Sequence, residues 1–304
     1  MEEGLVTRAT GMWYRVKSGG RVYDCRLRGN YRLHGSRQTN PAVVGDIVDI
    51  EPQADGTAVI TDIHDRRNYI VRQATKLSKQ THVIAANIDL LCIGATLATP
   101  RTSTGFIDRL LATAEAYHIP SCVIVNKCDL HDEALGSQCR RLLEVYRRIG
   151  YDTFVLSAAT GEGVEALRQR LEGLTTLFCG HSGTGKSSLL NRLDPSLQLR
   201  VGEVSEWSAK GTHTTTFAEM HPFAGGYLVD TPGIKEFGLF DFRDADLSHC
   251  FPEMRELLPR CRFANCTHRH EPHCAVKEAV TEGVIDAERY KNYLNILDSL
   301  DDPH

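Results

Sequence analysis

The fold is decided by the stretch Gly180-His181-Ser182-Gly183-Thr184-Gly185-Lys186-Ser187, which matches the pattern G-x-x-x-x-G-K-[ST]. It follows the apolar run Leu177-Phe178-Cys179 and precedes a helical pattern from Ser188. The glycines let the backbone wrap closely around phosphate oxygens, and the positive end of the next helix faces the same anion. Lys186 is expected to reach the β- and γ-phosphates, and Ser187 to bind Mg²⁺. The stretch therefore predicts a nucleotide-binding loop between a strand and a helix.

A second motif, Asn126-Lys127-Cys128-Asp129, distinguishes guanine from adenine. It follows the apolar run Ser121 to Val125, so it lies at the carboxyl end of a strand, where ligands bind in open α/β sheets. The Asp129 carboxylate can accept two hydrogen bonds from guanine, and the stem of Lys127 can cover one ring face. Ser157-Ala158, at the end of the next strand, fits a backbone donor to guanine O6. Together the motifs predict a site for GTP and GDP.

Two segments after the phosphate-binding loop have the character of nucleotide-dependent switches. In Asp230-Thr231-Pro232-Gly233, we expect Asp230 to hold Mg²⁺ through water and the Gly233 N–H to contact the γ-phosphate. The segment from Gly211 to Thr216 contains four threonines, and one of them is expected to bind Mg²⁺ only when the γ-phosphate is present. The sequence does not single out one of them; Thr215 is our choice.

The residue that orients the attacking water is not the usual one. Ras-like GTPases place a glutamine soon after the aspartate-glycine motif, whereas here Ile234 follows Gly233, and isoleucine cannot orient water. His213 lies in the threonine-rich segment and can accept or donate a proton near neutral pH. We therefore expect His213 to act in catalysis together with Lys186. The alternative is a surface histidine with no part in hydrolysis.

Three segments of the chain differ in pattern, and we expect them to be three domains. Residues 1–75 show short alternating runs broken by glycine and proline, which predicts a small β-barrel. Residues 76–240 alternate apolar strands with amphipathic helices, which predicts an α/β domain with a parallel sheet. Residues 241–304 contain a Cys/His cluster and a charged helical tail, Asp286 to Leu300.

The third segment contains four closely spaced candidate metal ligands, Cys261, Cys266, His268 and Cys274. Three thiolates and one imidazole form a closed tetrahedral set suited to one structural Zn²⁺, and a short segment with little apolar content needs such support. His270 and His273 are rival ligands. Because neighbouring residues are hard to fit around one ion, the adjacency of His273 to Cys274 argues against His273, and His270 stays open at this point. The alternative is a set of free thiols in a loop.

Composition narrows the possible partners and location. The net charge is −4, so any nucleic-acid contact must use a local patch, and arginines concentrate between Arg21 and Arg37. Two interpretations of these arginines are possible: they contact RNA, or they form a solvated face of the barrel.

The most apolar stretch, His82 to Ala98, is interrupted by Asn87 and Asp89, so we expect no membrane span. Met1-Glu2-Glu3 lacks the start of a signal peptide, and a cytoplasmic monomer is expected.

The order of the motifs is circularly permuted. The N-K-C-D motif and Ser157-Ala158 precede the phosphate-binding loop, whereas ordinary Ras-like domains begin with that loop and carry N-K-x-D late. The threonine-rich segment and D-T-P-G then come last, directly ahead of the third domain. Nucleotide state could therefore be transmitted to the residues after Gly238 without crossing the core.

With these motifs in this order, the sequence resembles the circularly permuted family of ribosome small subunit-dependent GTPase A over nearly the whole chain. The resemblance also includes Cys25-Arg26-Leu27-Arg28-Gly29, Val44-Gly45-Asp46, Arg67-Asn68 and the Cys/His cluster. It implies an OB-fold barrel, a permuted α/β P-loop GTPase domain and a small zinc-binding helical domain. It also implies a GTP phosphohydrolase that uses Mg²⁺ with GTP and holds one structural Zn²⁺, and His268 matches the position of the family's histidine ligand.

The partners implied by the resemblance are the small ribosomal subunit and its rRNA. The main hypothesis is a GTPase that couples hydrolysis to late maturation of that subunit and to its own release. An alternative is an RNA-binding assembly factor that uses guanine nucleotide mainly as a regulatory ligand. A metabolic P-loop kinase is disfavoured because Asn126 to Asp129 favours guanine over ATP.

Overall fold

The computed structural model describes residues 1–29, 41–73, 81–199, 218–230 and 244–301. Three residues of the expected site, His213, Thr215 and Gly233, lie outside these ranges. Of the expected switches, only Asp230 is therefore included.

The amino-terminal segment is a barrel of five strands, as predicted. The strands are β1 (Glu2–Ala9), β2 (Tyr14–Ser18), β3 (Arg21–Leu27), β4 (Ile47–Pro52) and β5 (Ala58–Ile63). The pairing runs β1–β2–β3–β5–β4, and pairing of β4 with β1 closes the barrel. Alternate side chains point inward, so that Val6, Val16 and Ile60 form part of its buried core.

Strand β1 was not expected from the sequence. Its run of residues is largely polar, and only Gly4 and Val6 are fully buried along it. A strand of this composition forms because its backbone is hydrogen-bonded on both sides, to β2 and to β4. Because β4 is distant from β1 in the sequence, the local pattern of residues in β1 does not reveal this pairing.

A short antiparallel hairpin of β6 (Tyr69–Gln73) and β7 (Thr81–Ala86) connects the barrel to the next segment. It forms a separate two-stranded sheet, with Val71 and Val83 among its buried side chains. The hairpin was not predicted, because its two strands are short and lack a turn signal between them.

The central segment is an α/β layer, in agreement with the expectation from its alternating pattern. Its strands are β8 (Leu90–Ala95), β9 (Ser121–Val125), β10 (Asp152–Val155), β11 (Thr175–Gly180), β12 (Glu219–Phe223) and β13 (Gly226–Asp230). Strands β10, β9, β8, β11 and β13 are parallel neighbours in that order, and antiparallel β12 follows β13. The carboxyl ends of the parallel strands therefore share one edge, where ligands bind in such sheets.

Helices cover both faces of this sheet. They are α1 (Thr104–Ala116), α2 (Glu133–Ile149), α3 (Val164–Leu171) and α4 (Lys186–Leu193). Leu111 and Leu143 belong to the apolar cluster on one face, and Leu167 and Leu189 to that on the other. Burial of both faces explains why the parallel strands are continuously apolar rather than alternating.

The barrel and the α/β layer share one sheet of 11 strands. The junction is antiparallel pairing of β1 with β12, in which Arg8 faces Glu219. The side chains of this pair approach to 3.8 Å, and Lys17 Nζ lies 3.2 Å from the hydroxyl of Tyr227. The barrel is thus attached to the edge of the α/β sheet by backbone pairing.

The carboxyl-terminal segment is helical, as expected. It contains α5 (Asp244–Leu247), α6 (Pro252–Arg255), α7 (Ala275–Thr281) and α8 (Ala287–Asp301). Helix α8 packs against α1, so that this segment shares an apolar cluster with the α/β layer. Within the described ranges, no helix has the length and apolar character needed to span a bilayer.

Candidate nucleotide-binding site and metal cluster

The phosphate-binding loop joins the end of β11 to the start of α4. Gly185, immediately before α4, has φ of +84°, and a Cβ atom there would lie 2.4 Å from Nδ2 of Asn126. Only glycine fits both constraints. Ser187 and Ser188 lie in the first turn of α4, whose N–H groups have no partners within the helix. The loop therefore offers a row of backbone donors suited to phosphate oxygens.

The ammonium group of Lys186 is held by the loop that it follows. Nζ donates hydrogen bonds to the carbonyl oxygens of Gly180 and His181, at 2.6 and 2.7 Å. The His181 carbonyl also accepts a hydrogen bond of 2.9 Å from the Thr184 hydroxyl. Lys186 thus lies across the loop, hydrogen-bonded to two of its carbonyl groups.

Asn126 connects three of the predicted motifs. Its side chain is buried, and its Nδ2 donates to the Thr184 carbonyl in the phosphate-binding loop, at 2.9 Å. Its Oδ1 accepts from Lys127 N at 2.8 Å and from Ala158 N at 3.0 Å. The structure therefore brings the N-K-C-D motif, the Ser157-Ala158 loop and the phosphate-binding loop together through one amide. Such a bridge was not foreseen from sequence spacing.

The remaining residues of the base-recognition motifs surround this amide. Lys127 has φ of +68°, and its Nζ donates to the Thr99 carbonyl at 2.9 Å. Asp129 lies in a short 3-10 helix and is exposed, so its carboxylate is accessible to a ligand. Ser157 is buried, and its hydroxyl accepts from Thr160 N at 3.1 Å. These residues place one acidic group and several ordered loops beside the phosphate-binding loop.

Asp230 ends β13, the strand next to β11. The two strands are parallel, with Leu177 opposite Val229. Asp230 therefore comes at the same edge of the sheet as the phosphate-binding loop. The roles predicted for Asp230 and Ser187 as Mg²⁺ ligands stay predictions, and His213, Thr215 and Gly233 lie outside the described ranges.

The four predicted metal ligands converge on one point. One ligand atom from each of Cys261, Cys266, His268 and Cys274 lies within 4.8 Å of the others. Nδ1 of His268 is 3.2 Å from Sγ of Cys274 and 3.8 Å from Sγ of Cys261. Tetrahedral Zn²⁺ with ordinary bond lengths separates a sulfur from a nitrogen by about 3.6 Å, so the residues fit zinc.

The surroundings of the cluster also fit a metal. His268 is buried, whereas the rival candidates His270 and His273 are exposed. Burial lowers the pKa of His268 and raises the pKa of Cys266 to about 12. A thiol in such a site becomes a thiolate only with a cation beside it. Tyr290 donates to the carbonyl of His268 at 2.6 Å, so α8 holds the ligand turn in place.

A buried ion pair between the α/β layer and the carboxyl-terminal segment escaped the sequence analysis. Arg289 of α8 contacts the carboxylates of Asp108 in α1 and Glu253 in α6. Asn292 and Tyr146 donate two further hydrogen bonds to Asp108. A charged residue in a charged helix is normally a surface residue, so the sequence offers no signal that would have found this pair.

Comparison with known proteins assigns the first two segments. The model of the RsgA N-terminal domain matches residues 3–60, and the model of the RsgA GTPase matches residues 63–240. The chain is 49% identical over 298 residues to the small ribosomal subunit biogenesis GTPase RsgA of Bacteroides fragilis, covering 97% of this chain and 96% of that protein. Its identity to the protein of the same name from Flavobacterium psychrophilum is 43%, with 99% and 94% covered.

Two solved structures share the fold over nearly their whole length. The crystal structure of YjeQ from Thermotoga maritima matches with a TM-score of 0.82 at 35% identity, with 98% of each chain covered. YloQ, described as a circularly permuted GTPase, matches with a TM-score of 0.79 at 28% identity, with 100% of this chain and 96% of that chain covered. The permuted order inferred from the motifs is confirmed by these neighbours.

Proposed function

This chain belongs to the RsgA GTPase family, and we propose that it hydrolyses GTP to GDP and phosphate in late maturation of the small ribosomal subunit. GTP hydrolysis would then be coupled to release of the protein from that subunit. The observation that carries the nucleotide part is the Asn126 amide, which joins the base-recognition loops to the phosphate-binding loop. The printed names of the relatives support the ribosomal part.

The proposed nucleotide-binding residues are those of the two bridged regions and one switch glycine: Asn126, Lys127, Asp129, Ser157, Ala158, Gly180 to Ser188 and Gly233. Asp129 recognises guanine through paired hydrogen bonds, and the backbone of the loop binds the phosphates. Ser187, Thr215 and Asp230 are the proposed ligands for Mg²⁺, which neutralises phosphate charge when bound.

Lys186 and His213 are the proposed catalytic residues. Lys186 is oriented by the His181 carbonyl and would contact phosphate oxygens from this position, stabilising negative charge as the terminal phosphoryl group leaves. His213 would orient the attacking water, since Ile234 stands where a glutamine is usual. The role of Lys186 is supported by the geometry of the loop, and that of His213 by its sequence position alone.

We also propose one structural Zn²⁺ on Cys261, Cys266, His268 and Cys274. Its effect would be to hold the turn that α8 contacts, and no catalytic step needs it. The proposed domains are residues 1–75, 76–240 and 241–304, with the β6–β7 hairpin spanning the first boundary. The protein is proposed to act as a cytoplasmic monomer.

The proposed contact with rRNA has its best support on the barrel. The guanidinium of Arg26 lies 4.1 Å from the ring centroid of Trp13, which is 37% exposed. Arg15 and Lys17 are exposed on the neighbouring strand β2. An exposed aromatic ring among basic side chains suits base stacking and phosphate attraction. Near the metal cluster, Arg262 is exposed, whereas Arg269 pairs with Asp298 at 3.0 Å.

The proposed function is tested by GTP turnover with and without purified bacterial small ribosomal subunits. We expect slow intrinsic hydrolysis and strong stimulation by the subunits, with Lys186→Ala inactive under both conditions. His213→Ala should bind GTP normally and lose stimulated hydrolysis. If subunits bind with an affinity that depends on nucleotide but do not stimulate turnover, guanine nucleotide is a regulatory ligand and the hydrolytic role is wrong.

A further inference from the structure

The imidazole ring of His181 lies face to face with the phenyl ring of Phe106. The ring centroids are 3.6 Å apart, and the planes differ by 23°. Phe106 belongs to the first turn of α1, where its N–H donates to the hydroxyl of the capping residue Ser103 at 3.3 Å. The stacked rings therefore join a capped helix to the phosphate-binding loop.

His181 also organises the loop through its backbone. Its carbonyl oxygen is the one that accepts hydrogen bonds from Lys186 and from the Thr184 hydroxyl. A ring fixed on α1 thus fixes the peptide that orients Lys186. The loop contains three glycines and has wide conformational freedom of its own, so an external anchor narrows the shapes it can adopt.

The imidazole is suited to packing and not to proton donation. Partial burial and the positive charge of Lys186 both lower the pKa of His181, which favours the neutral form of the ring. A neutral ring stacks on phenylalanine through dispersion and quadrupole interactions. The contact therefore depends on the aromatic ring of Phe106 and on no charge.

Helix α1 is itself held in place from its other side. Asn292 of α8 donates to the Thr104 hydroxyl at 3.1 Å and to the Asp108 carboxylate at 2.6 Å. These two residues flank Phe106 in the sequence, so the turn that carries Phe106 is fixed by the carboxyl-terminal segment. The loop is consequently packed against a helix that α8 also holds.

We propose that Phe106 is a positioning residue for the phosphate-binding loop, acting through the ring of His181 to hold Lys186 in place for the phosphates of GTP. The inference rests on the proposed GTPase function. Loss of the phenyl ring of Phe106 frees the phosphate-binding loop and weakens binding of GTP. A contribution of Phe106 through apolar volume alone would affect only the stability of α1.

The test compares Phe106→Leu, which keeps apolar bulk but lacks a ring, with Phe106→Tyr, which keeps the ring. The readouts are the dissociation constant of a non-hydrolysable GTP analogue with Mg²⁺, the KM and kcat of GTP turnover, and the melting temperature. We expect Phe106→Leu to raise the dissociation constant and KM about three- to tenfold, and Phe106→Tyr to restore them to within about twofold of the parent.

Two further variants make the result specific. Adding Phe106→Leu to His181→Leu should cause no further loss, because the contact is already gone. Tyr117→Leu, at the other end of α1, removes the Tyr69–Tyr117 ring pair of 5.7 Å and should leave GTP binding unchanged. It thus controls for a general loss of aromatic packing on α1.

The inference is overturned if the parent and Phe106→Leu bind the GTP analogue with equal affinity. It is also overturned if the losses of affinity from Phe106→Leu and His181→Leu add up in the double variant. Either result leaves the proposed function standing. Equal losses in Phe106→Leu and Phe106→Tyr also overturn it. A parent protein that binds no guanine nucleotide overturns the proposed function and this inference with it.

Discussion

The guanidinium of Arg289 lies 2.6 Å from the carboxylate of Asp108, and the two side chains are 2% and 1% exposed. Burial by itself would lower the pKa of Arg289, but the carboxylates of Asp108 and Glu253 outweigh that effect and raise it. The arginine is therefore charged. Because α1 and α8 each supply one partner, the pair fixes the carboxyl-terminal segment on the α/β layer.

Arg289→Met should destabilise the protein strongly. It leaves the buried Asp108 carboxylate and the partly buried Glu253 carboxylate without their cation, and breaking such a pair costs about 3–5 kcal/mol. Asp108→Asn should cost less, because Arg289 keeps Glu253. The free energy of unfolding, measured by urea denaturation, should be lower for Arg289→Met than for Asp108→Asn.

The control for this prediction is Arg148→Met, which removes an exposed pair with Glu144. Its expected cost is below about 1 kcal/mol. A cost for Arg289→Met as small as that of the control would mean that the buried pair contributes nothing to stability.

Asp129→Asn should change base preference. An amide offers guanine one acceptor in place of two, so GTP affinity should fall about 10- to 100-fold. The same amide can donate to the 2-carbonyl of xanthine, so affinity for xanthosine triphosphate should rise. Glu172→Gln, at an exposed carboxylate after α3, is the matched control and should change neither affinity. Unchanged preference in Asp129→Asn would remove this residue from the base site.

Asn126→Ala should weaken GDP and GTP alike, because it separates the loops rather than removing a phosphate contact. The Thr184 carbonyl and the Ala158 N–H would each lose a buried hydrogen bond, at a combined cost in stability of about 1–3 kcal/mol. Asn126→Asp keeps the acceptor and loses only the donor to Thr184, so it should be intermediate. Nucleotide affinity and urea denaturation measure the two effects. Affinity for GDP that stays at the parental value would argue against the bridging role.

Purified protein should contain one Zn²⁺ per chain, and Cys274→Ala should lose it. The carboxyl-terminal segment should then lose its ordered turn, with a lower melting temperature and new sites of proteolysis after Leu258. Cys250→Ala is the control, because Cys250 is buried in the same apolar cluster but is not a ligand. Metal analysis and limited proteolysis give the readouts. Zinc retained by Cys274→Ala would contradict the ligand set.

The architecture and the motif positions could be predicted because each depends on local sequence. The apolar runs of β9 and β11 predicted strands, and the motifs following them predicted where ligands would bind. The spacing of Cys261 to Cys274 predicted the cluster, and burial of His268 agrees with its choice over His270.

Features that depend on contacts between distant residues could not be predicted. The polar sequence of β1 does not predict a strand, and the strand forms through pairing with β4 and β12. Arg289 reads as a solvated residue of a charged helix. The role of Asn126 as a bridge likewise appears only when the ends of β9 and β11 are side by side.

The pairing of β1 with β12 has a consequence for dissection of the molecule. Where Arg8 faces Glu219, removal of the barrel would expose backbone donors and acceptors of β12, which could then pair with another molecule. A truncated GTPase domain would thus be prone to self-association. The barrel would thus have a second role, as the cover of the GTPase domain at the point where Arg8 faces Glu219.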